Sequence, residues 1–202
     1  MKIDNASINW EKGGGLVPAI VQDAKTEQVL MLGYMNEASL AKTQDTELVT
    51  FYSRSRQELW TKGETSGNTL KLQSITVDCD NDTLLVRATP TGPTCHEGTV
   101  SCFSETGPEG LGFLAYLEDL IEGRKSADAD SSYTASLLQG PLRRAAQKVG
   151  EEGVETALAA VAETEDKLTS EAADLVYHLL VLLTAKDVKF ESVIKELTGR
   201  HK

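Results

Sequence analysis

The chain has few of the residues that mark several classes of protein. Its 202 residues include only three cysteines, three histidines and five prolines, and 5% of them are aromatic. Three cysteines cannot all pair internally, so a reduced, cytoplasmic chain is favoured over a secreted disulfide scaffold. The chain has no uninterrupted apolar run of about 18 residues, and its polar N-terminus lacks a signal-peptide core. We therefore expect neither a membrane span nor a leader.

Basic residues are also scarce. Twenty lysines and arginines stand against 31 aspartates and glutamates, which gives a formal net charge of −11. Proteins that bind nucleic acid generally depend on cationic contacts to phosphate, so this balance argues against a nucleic-acid partner. It does not exclude small phosphorylated substrates, because carboxylates recruit divalent cations that in turn hold phosphates.

Residues 77–102 contain most of the candidate metal ligands of the first half. They hold the cysteines Cys79, Cys95 and Cys102, the aspartates Asp78, Asp80 and Asp82, and His96. Thiolates select zinc, whereas carboxylates select magnesium or calcium. Three thiolates leave one position of a tetrahedral zinc open, as catalytic zinc requires in order to bind and acidify water. A buried apolar cysteine and a solvated acidic turn are the simpler alternatives, but they do not explain why both ligand types occur together.

The two halves of the chain differ in secondary-structure pattern. Short strands are predicted over residues 16–23, 28–35, 48–53, 70–79 and 83–89, with one helix that begins after the N-cap Asn36. Helices are predicted over residues 112–123, 132–139, 142–163, 170–186 and 190–197. The segment 104–110, which contains glycine and proline, separates the two patterns. We therefore predict a β-rich α+β domain over residues 1–105 and an all-α domain over residues 111–202.

A second polar stretch, residues 52–68, brings cations close to glycines. Its candidate substrate-binding residues are Arg54, Trp60, Lys62, Gly63, Ser66, Gly67 and Asn68. A glycine-bearing loop with free N–H groups and flanking cations suits an anion such as phosphate. Glycine, serine and asparagine also mark ordinary turns, and a tryptophan more often fills a core than stacks on a base, so both interpretations stay open.

The helical half has two clusters of acidic residues. They are Glu151, Glu152 and Glu155, and then Glu171 and Asp174. Like charges three or four residues apart repel on a helix, so clusters embedded among alanine, valine and leucine need a counter-charge. Two antiparallel helices joined near residues 166–169 would combine them into a carboxylate box for a divalent metal, suited to attack of water on a polyphosphate. A solvated acidic face is the alternative. His178 is interpreted as structural, and an ordinary helix ion pair with Glu152 explains Lys148 equally well.

Two sets of motifs resemble known families. WTKGETSGN, the DCDND run and GPTCHEGTVSCF resemble phosphoribosyl-AMP cyclohydrolases. KVGEEGVETALAA followed by EAADLVYHLLVLL resembles phosphoribosyl-ATP pyrophosphatases of the all-α, MazG-like group, whose metal motif is Glu-Glu-x-x-Glu, a spacer, and Glu-x-x-Asp. Their order is similar to that of the fused bifunctional enzymes of histidine biosynthesis, and the resemblance covers nearly the whole chain.

The resemblance implies that the helical domain acts first. Water would attack the polyphosphate of phosphoribosyl-ATP, pyrophosphate would leave, and the five carboxylates of the two acidic clusters would hold magnesium. One of the glutamates would orient the water, with Glu152 as the candidate, and Lys148 would contact substrate. The first domain would then open the adenine ring of phosphoribosyl-AMP at N1–C6 with zinc-activated water, and His96 would move the proton.

The resemblance also implies a homodimer. On a regular strand Asp78, Asp80 and Asp82 would face one way and Cys79 the other, so one chain could not place both metals on one face. The family's arrangement takes Cys79 from one chain and Cys95 and Cys102 from the other for zinc. The three aspartates would bind magnesium near the substrate phosphates or ribose.

Three other functions fit the residues less well. A zinc-dependent base deaminase needs His-x-Glu followed by Pro-Cys-x-x-Cys, which the run Cys95-His96-Glu97 does not match. A nucleotide pyrophosphatase with a purely structural zinc domain does not need the open position that three thiolates leave. A zinc-bound interaction module fused to a helical dimerisation domain would leave both carboxylate sets unexplained.

Overall fold

The chain forms two compact units. The computed structural model describes residues 3–103 and 107–201, so residues 104–106 of the predicted linker lie outside the described residues. The units divide between Phe113 and Leu114. The first is rich in strands and the second is helical, which confirms the predicted fold class. The finer domain limits, 1–105 and 111–202, stay a prediction.

The first unit contains a four-stranded sheet and a separate hairpin. Its strands are β1 (Val17–Asp23), β2 (Val29–Met35), β3 (Thr50–Ser53), β4 (Glu58–Thr61), β5 (Leu70–Val77) and β6 (Leu84–Pro90). The sheet has the order β2-β1-β6-β5, in which β1 and β6 are parallel and the other neighbours antiparallel. β3 and β4 pair antiparallel as the hairpin. Since β5 and β6 are antiparallel neighbours, residues 78–83 between them form a turn at one end of the sheet.

Alternation along β1 determines which face of the sheet is buried. Val17, Ala19 and Val21 are fully buried, as the two-residue period of a strand predicts for one face. The helix α1 (Glu37–Thr46) begins with a reciprocal cap. Asn36 Oδ1 accepts from the Ser39 N–H at 2.9 Å, and Ser39 Oγ accepts from the Asn36 N–H at 2.8 Å. The predicted N-cap is therefore confirmed.

The second unit contains five α-helices in the described residues. They are α2 (Gly112–Gly123), α3 (Tyr133–Gln139), α4 (Leu142–Ala162), α5 (Glu165–Ala185) and α6 (Phe190–Arg200). α4 and α5 pack against each other and are joined by two residues, so they run antiparallel. Thr164 caps α5 by accepting from the Lys167 N–H at 3.3 Å.

The buried core of the second unit is small. Ile121, Leu137, Leu180 and Val181 are at most 2% exposed. α5 is long and apolar enough to cross a membrane by length and composition alone. Core helices of soluble proteins also meet these two criteria. In α5, 28% of the most apolar 18-residue stretch is buried within the chain.

The structure corrects two predictions in the first unit. The glycine-bearing loop predicted over residues 52–68 contains β4, whose short run of polar and apolar residues becomes a strand by pairing with β3. β5 ends at Val77 and not at residue 79, so the aspartates lie in a turn. Asp78 Oδ1 accepts from the Asp82 and Thr83 N–H groups at 3.0 and 3.1 Å, which favours the turn over a continued strand. The predicted alternation of faces therefore does not apply.

A third correction concerns the join between the long helices. The predicted helix at residue 170 begins five residues earlier, at Glu165, so α4 and α5 meet at residues 163–164 and not near 166–169. Glu165 and Asp166 lie in the first turn of α5, where the helix dipole favours negative charge. Glu171 consequently lies within the helix, and a role at its N-terminus is excluded.

Candidate functional site

The turn between β5 and β6 brings three carboxylates together. Asp78, Asp80 and Asp82 each place an oxygen within 4.8 Å of the others. Asn81 adopts a left-handed conformation at φ 62°, which allows the chain to reverse between them. Three converging oxygens are the donor set that magnesium or calcium prefers. The turn thus fits a divalent cation.

Lys12 contacts the same turn, which the sequence did not indicate. Its Nζ lies 2.5 Å from Asp80 Oδ2 and 2.5 Å from Asp82 Oδ2. The hydrogen bonds to Asp80 and then Asp82 raise the pKa of Lys12, and the bond from Lys12 lowers the pKa of both carboxyls. All three groups are therefore charged at neutral pH.

Two of the three cysteines lie close together. The loop 94–102 folds back on itself, since the Cys95 N–H donates to the Thr99 carbonyl at 3.0 Å. It is fixed to β2, because the Cys102 N–H donates to the Leu30 carbonyl at 2.8 Å. The Glu97 backbone N–H lowers the pKa of the Cys95 thiol, whereas partial burial and then the charge of Cys95 raise that of Cys102. A thiol with a lowered pKa is a ready metal ligand.

The third cysteine belongs to a different part of the unit. Cys79 is exposed in the aspartate turn, while Cys95 and Cys102 are in the loop fixed to β2. Within the described residues of one chain, no cluster with ligand atoms inside 4.8 Å contains the three sulfurs. His96 is exposed beside the pair, with Nδ1 3.8 Å from Cys95 Sγ. The donor chemistry fits zinc, but one chain supplies two of the three thiols to one place.

The loop from β4 to β5 is tightly built. Gly63 and Gly67 have φ of +84° and +79°, and a Cβ on Gly63 would lie 2.4 Å from the backbone of Asn68. The Gly67 N–H donates to the Gly63 carbonyl at 2.8 Å, and Ser66 Oγ accepts from the Asn68 N–H at 3.3 Å. Lys62, at the start of the loop, is 9% exposed. Position 63 requires glycine, because a side chain there would collide with the backbone of Asn68 and Thr69 at the other end of the loop.

A groove of about 630 Å³ lies between β2 and the β3–β4 hairpin. Its lining includes Tyr34, Phe51, Arg54 and Trp60. The Arg54 guanidinium lies 3.8 Å from the centre of the Tyr34 ring, and Phe51 and Trp60 have ring centres 5.6 Å apart. Trp60 both packs against the core and lines this groove. The groove offers aromatic faces and one cation, which suits a base next to a phosphate.

The second unit contains its own carboxylate cluster. Glu152 of α4 and Glu171 and Asp174 of α5 place oxygens within 4.8 Å of one another. Glu152 and Glu171 are 5% and 6% exposed. Two nearly buried carboxylates are costly to ionise side by side unless a cation accompanies them. The cluster therefore fits a divalent metal.

Glutamates at the edge of the cluster are arranged differently. Glu155 borders the cluster. The charge of Glu152, and then burial and the charge of Glu171, raise the pKa of Glu155. Glu151 instead accepts from Gln147 Nε2 at 2.7 Å and from Lys148 Nζ at 3.0 Å. Of these two glutamates, Glu155 borders the central carboxylates electrostatically, whereas Glu151 is held by side chains of its own helix.

Lysines supply the counter-charge. Lys148 Nζ lies 2.8 Å from Glu152 Oε1 and 3.0 Å from Glu151 Oε2, and these bonds raise the pKa of Lys148. Lys167 pairs with Glu171 and lowers the pKa of that carboxyl. Cations of the same two helices thus offset the charge of Glu151, Glu152 and Glu171, and neutralisation by a metal stays a prediction.

His178 connects the cluster to Tyr133. His178 is 6% exposed, and its Nδ1 lies 2.9 Å from the Asp174 carbonyl oxygen and 3.6 Å from Glu152 Oε1. A carbonyl only accepts, so Nδ1 carries a proton and donates it to Asp174, while Nε2 lies 3.2 Å from the Tyr133 hydroxyl oxygen. The sequence did not indicate the contact of His178 with Glu152, because that contact depends on the packing of α4 on α5.

Comparisons with known proteins agree on both units. Residues 31–104 match the phosphoribosyl-AMP cyclohydrolase family, and residues 114–201 match the phosphoribosyl-ATP pyrophosphohydrolase family. The chain is 57% identical to a histidine biosynthesis bifunctional protein HisIE of Vibrio parahaemolyticus, over 96% of this chain and 93% of the relative. It is 58% identical to the protein of that name from Escherichia coli K12, over 96% of this chain and 95% of the relative.

Proposed function

Because this chain belongs to the family of bifunctional histidine-biosynthesis enzymes, with cyclohydrolase and pyrophosphohydrolase activities, we propose that each activity has a separate metal-dependent site in one unit. The observation that carries this proposal is that the two units contain different candidate metal ligands. Thiols and an aspartate turn lie in the first unit, and a carboxylate cluster lies in the second. Thiolates suit zinc and carboxylates suit magnesium, so the two units fit two different chemistries.

The helical unit would release pyrophosphate from phosphoribosyl-ATP. Magnesium, when bound to Glu151, Glu152, Glu155, Glu171 and Asp174, supplies positive charge that offsets the charge of the polyphosphate. Glu152 is nearly buried between Lys148 and His178, which supports its role in orienting the attacking water. Water adds to the phosphorus that remains on the nucleotide, the bond to the bridging oxygen breaks, and pyrophosphate takes that oxygen. Lys148 has the reach to contact the phosphates once a metal neutralises Glu152.

The strand-rich unit would then open the adenine ring of phosphoribosyl-AMP. Zinc, held by Cys79, Cys95 and Cys102, supplies an acidified water near neutral pH. His96 lies beside Cys95, where it would accept a proton from the attacking water and return it to N1. Oxygen bonds to C6 and the N1–C6 bond breaks, so the reaction consumes one water. Magnesium on the aspartate turn would neutralise the substrate phosphates or hold the ribose.

The substrate of this unit would lie along the groove and the β4–β5 loop. Aromatic faces and Arg54 line the groove, which supports stacking of a base near a phosphate. Backbone N–H groups suit a second anion in the loop that holds Gly63, Ser66, Gly67 and Asn68. Lys62 would add a cation there. Trp60 would serve both as part of the core and as a wall of the groove.

A homodimer with a shared zinc site completes the proposal. Val154, Leu158 and Val161 of α4 are 60%, 55% and 81% exposed, although they lie on successive turns of one helix. A stripe of this kind is typical of a surface that a second copy of the chain covers. The separation of Cys79 from Cys95 and Cys102 supports a zinc site that both chains complete. We propose that the dimer acts in the cytoplasm.

Two substitutions test the separation of the activities. Glu152→Gln should abolish pyrophosphate release and spare ring opening of supplied phosphoribosyl-AMP, because it removes a charge from the carboxylate cluster alone. Cys95→Ala should do the reverse. Glu163→Gln, at the exposed end of α4, is the matched control and should change neither rate. Loss of both activities through either substitution in a folded protein would contradict the proposal of two sites.

A further inference from the structure

The aspartate turn already holds a cation, and that cation is part of the chain. Lys12 Nζ lies 2.5 Å from one oxygen of Asp80 and 2.5 Å from one oxygen of Asp82. The carboxylates of this turn, with Asp78, lie within 4.8 Å of one another. Like charges at this distance repel, and one ammonium group between two of them removes most of that repulsion.

The position of Lys12 is fixed by the structure around it. Ile8 and Trp10 on the same segment are 6% and 9% exposed and belong to the core of the first unit. The Asn9 N–H donates to the Asn81 carbonyl at 2.7 Å, so the segment is tied to the aspartate turn itself. Asn9 Oδ1 also accepts from the Lys12 N–H at 3.2 Å. Lys12 is therefore held over the turn by backbone and core contacts, which distinguishes it from a freely moving surface lysine.

The ammonium group and a divalent cation need the same oxygens. A cation bound through Asp80 Oδ2 and Asp82 Oδ2 takes up lone pairs that Lys12 now uses, and two positive charges between the same two oxygens repel each other. Binding of the cation at these oxygens therefore favours movement of the Lys12 side chain away from the turn. Since the side chain of Lys12 is 49% exposed, solvent is open to receive it.

We propose that Lys12 serves as the counter-ion of the aspartate turn when no metal is bound. Its ammonium group then holds Asp80 and Asp82 together and lowers the affinity of the turn for magnesium. The proposal rests on the proposed magnesium site at Asp78, Asp80 and Asp82. Its consequence is that the cyclohydrolase unit binds magnesium only when the ion displaces Lys12. An ordinary surface ion pair would have no such effect, because exposed pairs contribute little and their loss leaves nearby sites unchanged.

The test measures magnesium binding directly. Full-length protein carrying Glu152→Gln, Glu171→Gln and Asp174→Asn lacks the three central carboxylates of the helical cluster, so calorimetric titration with magnesium chloride reports mainly on the first unit. In this background Lys12→Met should bind magnesium more tightly, on the order of fivefold, because the competing charge is gone. Lys12→Arg keeps the charge and should bind as the parent does. Lys42→Met, an exposed lysine of α1, is the matched control and should leave affinity unchanged.

Thermal unfolding gives a second readout that does not depend on activity. Without magnesium, Lys12→Met should melt at a lower temperature than the parent, because Asp80 and Asp82 are left without their counter-ion. Saturating magnesium should remove this difference in Tm, so the rise in Tm with magnesium should be larger in Lys12→Met than in the parent.

The outcomes separate the two proposals. Equal or weaker magnesium binding by Lys12→Met, with an equal magnesium-dependent rise in Tm, would overturn the role of Lys12. Binding that Asp80→Asn and Asp82→Asn leave unchanged in the same background would overturn the magnesium site itself, and the role of Lys12 with it. Binding that these two variants abolish and Lys12→Met strengthens would support both.

Discussion

A heterodimer that combines one Cys79→Ala chain with one Cys95→Ala chain should retain one of its two cyclohydrolase sites. Cys95 and Cys102 belong to the loop fixed to β2, whereas Cys79 lies in the aspartate turn, and the three sulfurs of one chain form no common cluster. If Cys79 completes the site of the other chain, the intact Cys79 of one subunit meets the intact Cys95 and Cys102 of its partner at one site. The second site loses both residues.

The recovered activity follows from counting sites in a two-fold symmetric dimer. Free exchange of two inactive variants gives about half heterodimers, each with one of two sites, so the mixture should recover about one quarter of the wild-type rate. Chains with two different affinity tags allow the heterodimer to be purified. It should contain half the zinc of the wild-type dimer and open phosphoribosyl-AMP at half its rate.

A matched heterodimer distinguishes a shared site from one within a chain. Pairing the wild-type chain with a Cys79→Ala/Cys95→Ala double variant leaves the same number of cysteines but gives no complete shared site. This dimer should be inactive in ring opening. The reasoning would be refuted by the opposite result, in which the wild-type and double-variant pair is half active and the two single variants together are inactive.

Three further predictions follow from the two units. Gly63→Ala should lower the free energy of unfolding of the first unit in urea by about 2–4 kcal/mol, because the added Cβ collides with the backbone of Asn68. Gly67→Ala has open space around the added Cβ and should lower it by only about 1 kcal/mol. Equal losses of stability in the two variants would contradict this packing. Leu180→Ala should cost the helical unit about 2–5 kcal/mol by circular dichroism, and the 47%-exposed Leu197→Ala less than about 1 kcal/mol; a tolerated Leu180→Ala would contradict the core. A chelator followed by magnesium alone should restore pyrophosphate release but not ring opening until zinc is added, and ring opening without zinc would exclude a zinc requirement.

Local chemistry explains which elements the sequence predicted well. The cap at Asn36 depends on residues three apart in the chain, and the structure has that cap. The helix over residues 112–123 matches α2 (Gly112–Gly123) because apolar residues recur along it at helical spacing. Strands with strict alternation, such as β1, were also predictable, since one face of the sheet is buried.

Elements that depend on pairing or capping were missed. β4 has four residues and exists because β3 lies beside it, so no pattern within Glu58–Thr61 identifies it. The start of α5 is polar and exposed, which concealed its first turn, although Thr164 and the acids after it are a recognisable N-terminus. The end of β5 was extended into Asp78 and Cys79 because alternation continues there, while the side chain of Asp78 in fact binds the turn backbone.

The residues of the candidate sites also fall into two groups: those that local spacing predicted, and those that only the tertiary structure brings together. The spacing of the carboxylates in the helical half predicted which residues share a helix face, and Glu152, Glu171 and Asp174 do converge. Lys12 and Tyr133 could not be connected to the sites from sequence, because each reaches its partner across a long stretch of chain. The roles assigned to the individual ligands stay predictions until metal is measured in the variants.

The most direct measurement supplies phosphoribosyl-ATP, magnesium and zinc to the purified protein and follows pyrophosphate and the ring-opened product in one time course. If each unit carries its own activity, phosphoribosyl-AMP should rise and then fall between the two products, and Glu152→Gln should prevent all three from forming. Pyrophosphate without ring opening would contradict the function proposed for the cysteines and the aspartate turn. Ring-opened product from supplied phosphoribosyl-AMP in Glu152→Gln, at the wild-type rate, is the result that the two-site account requires.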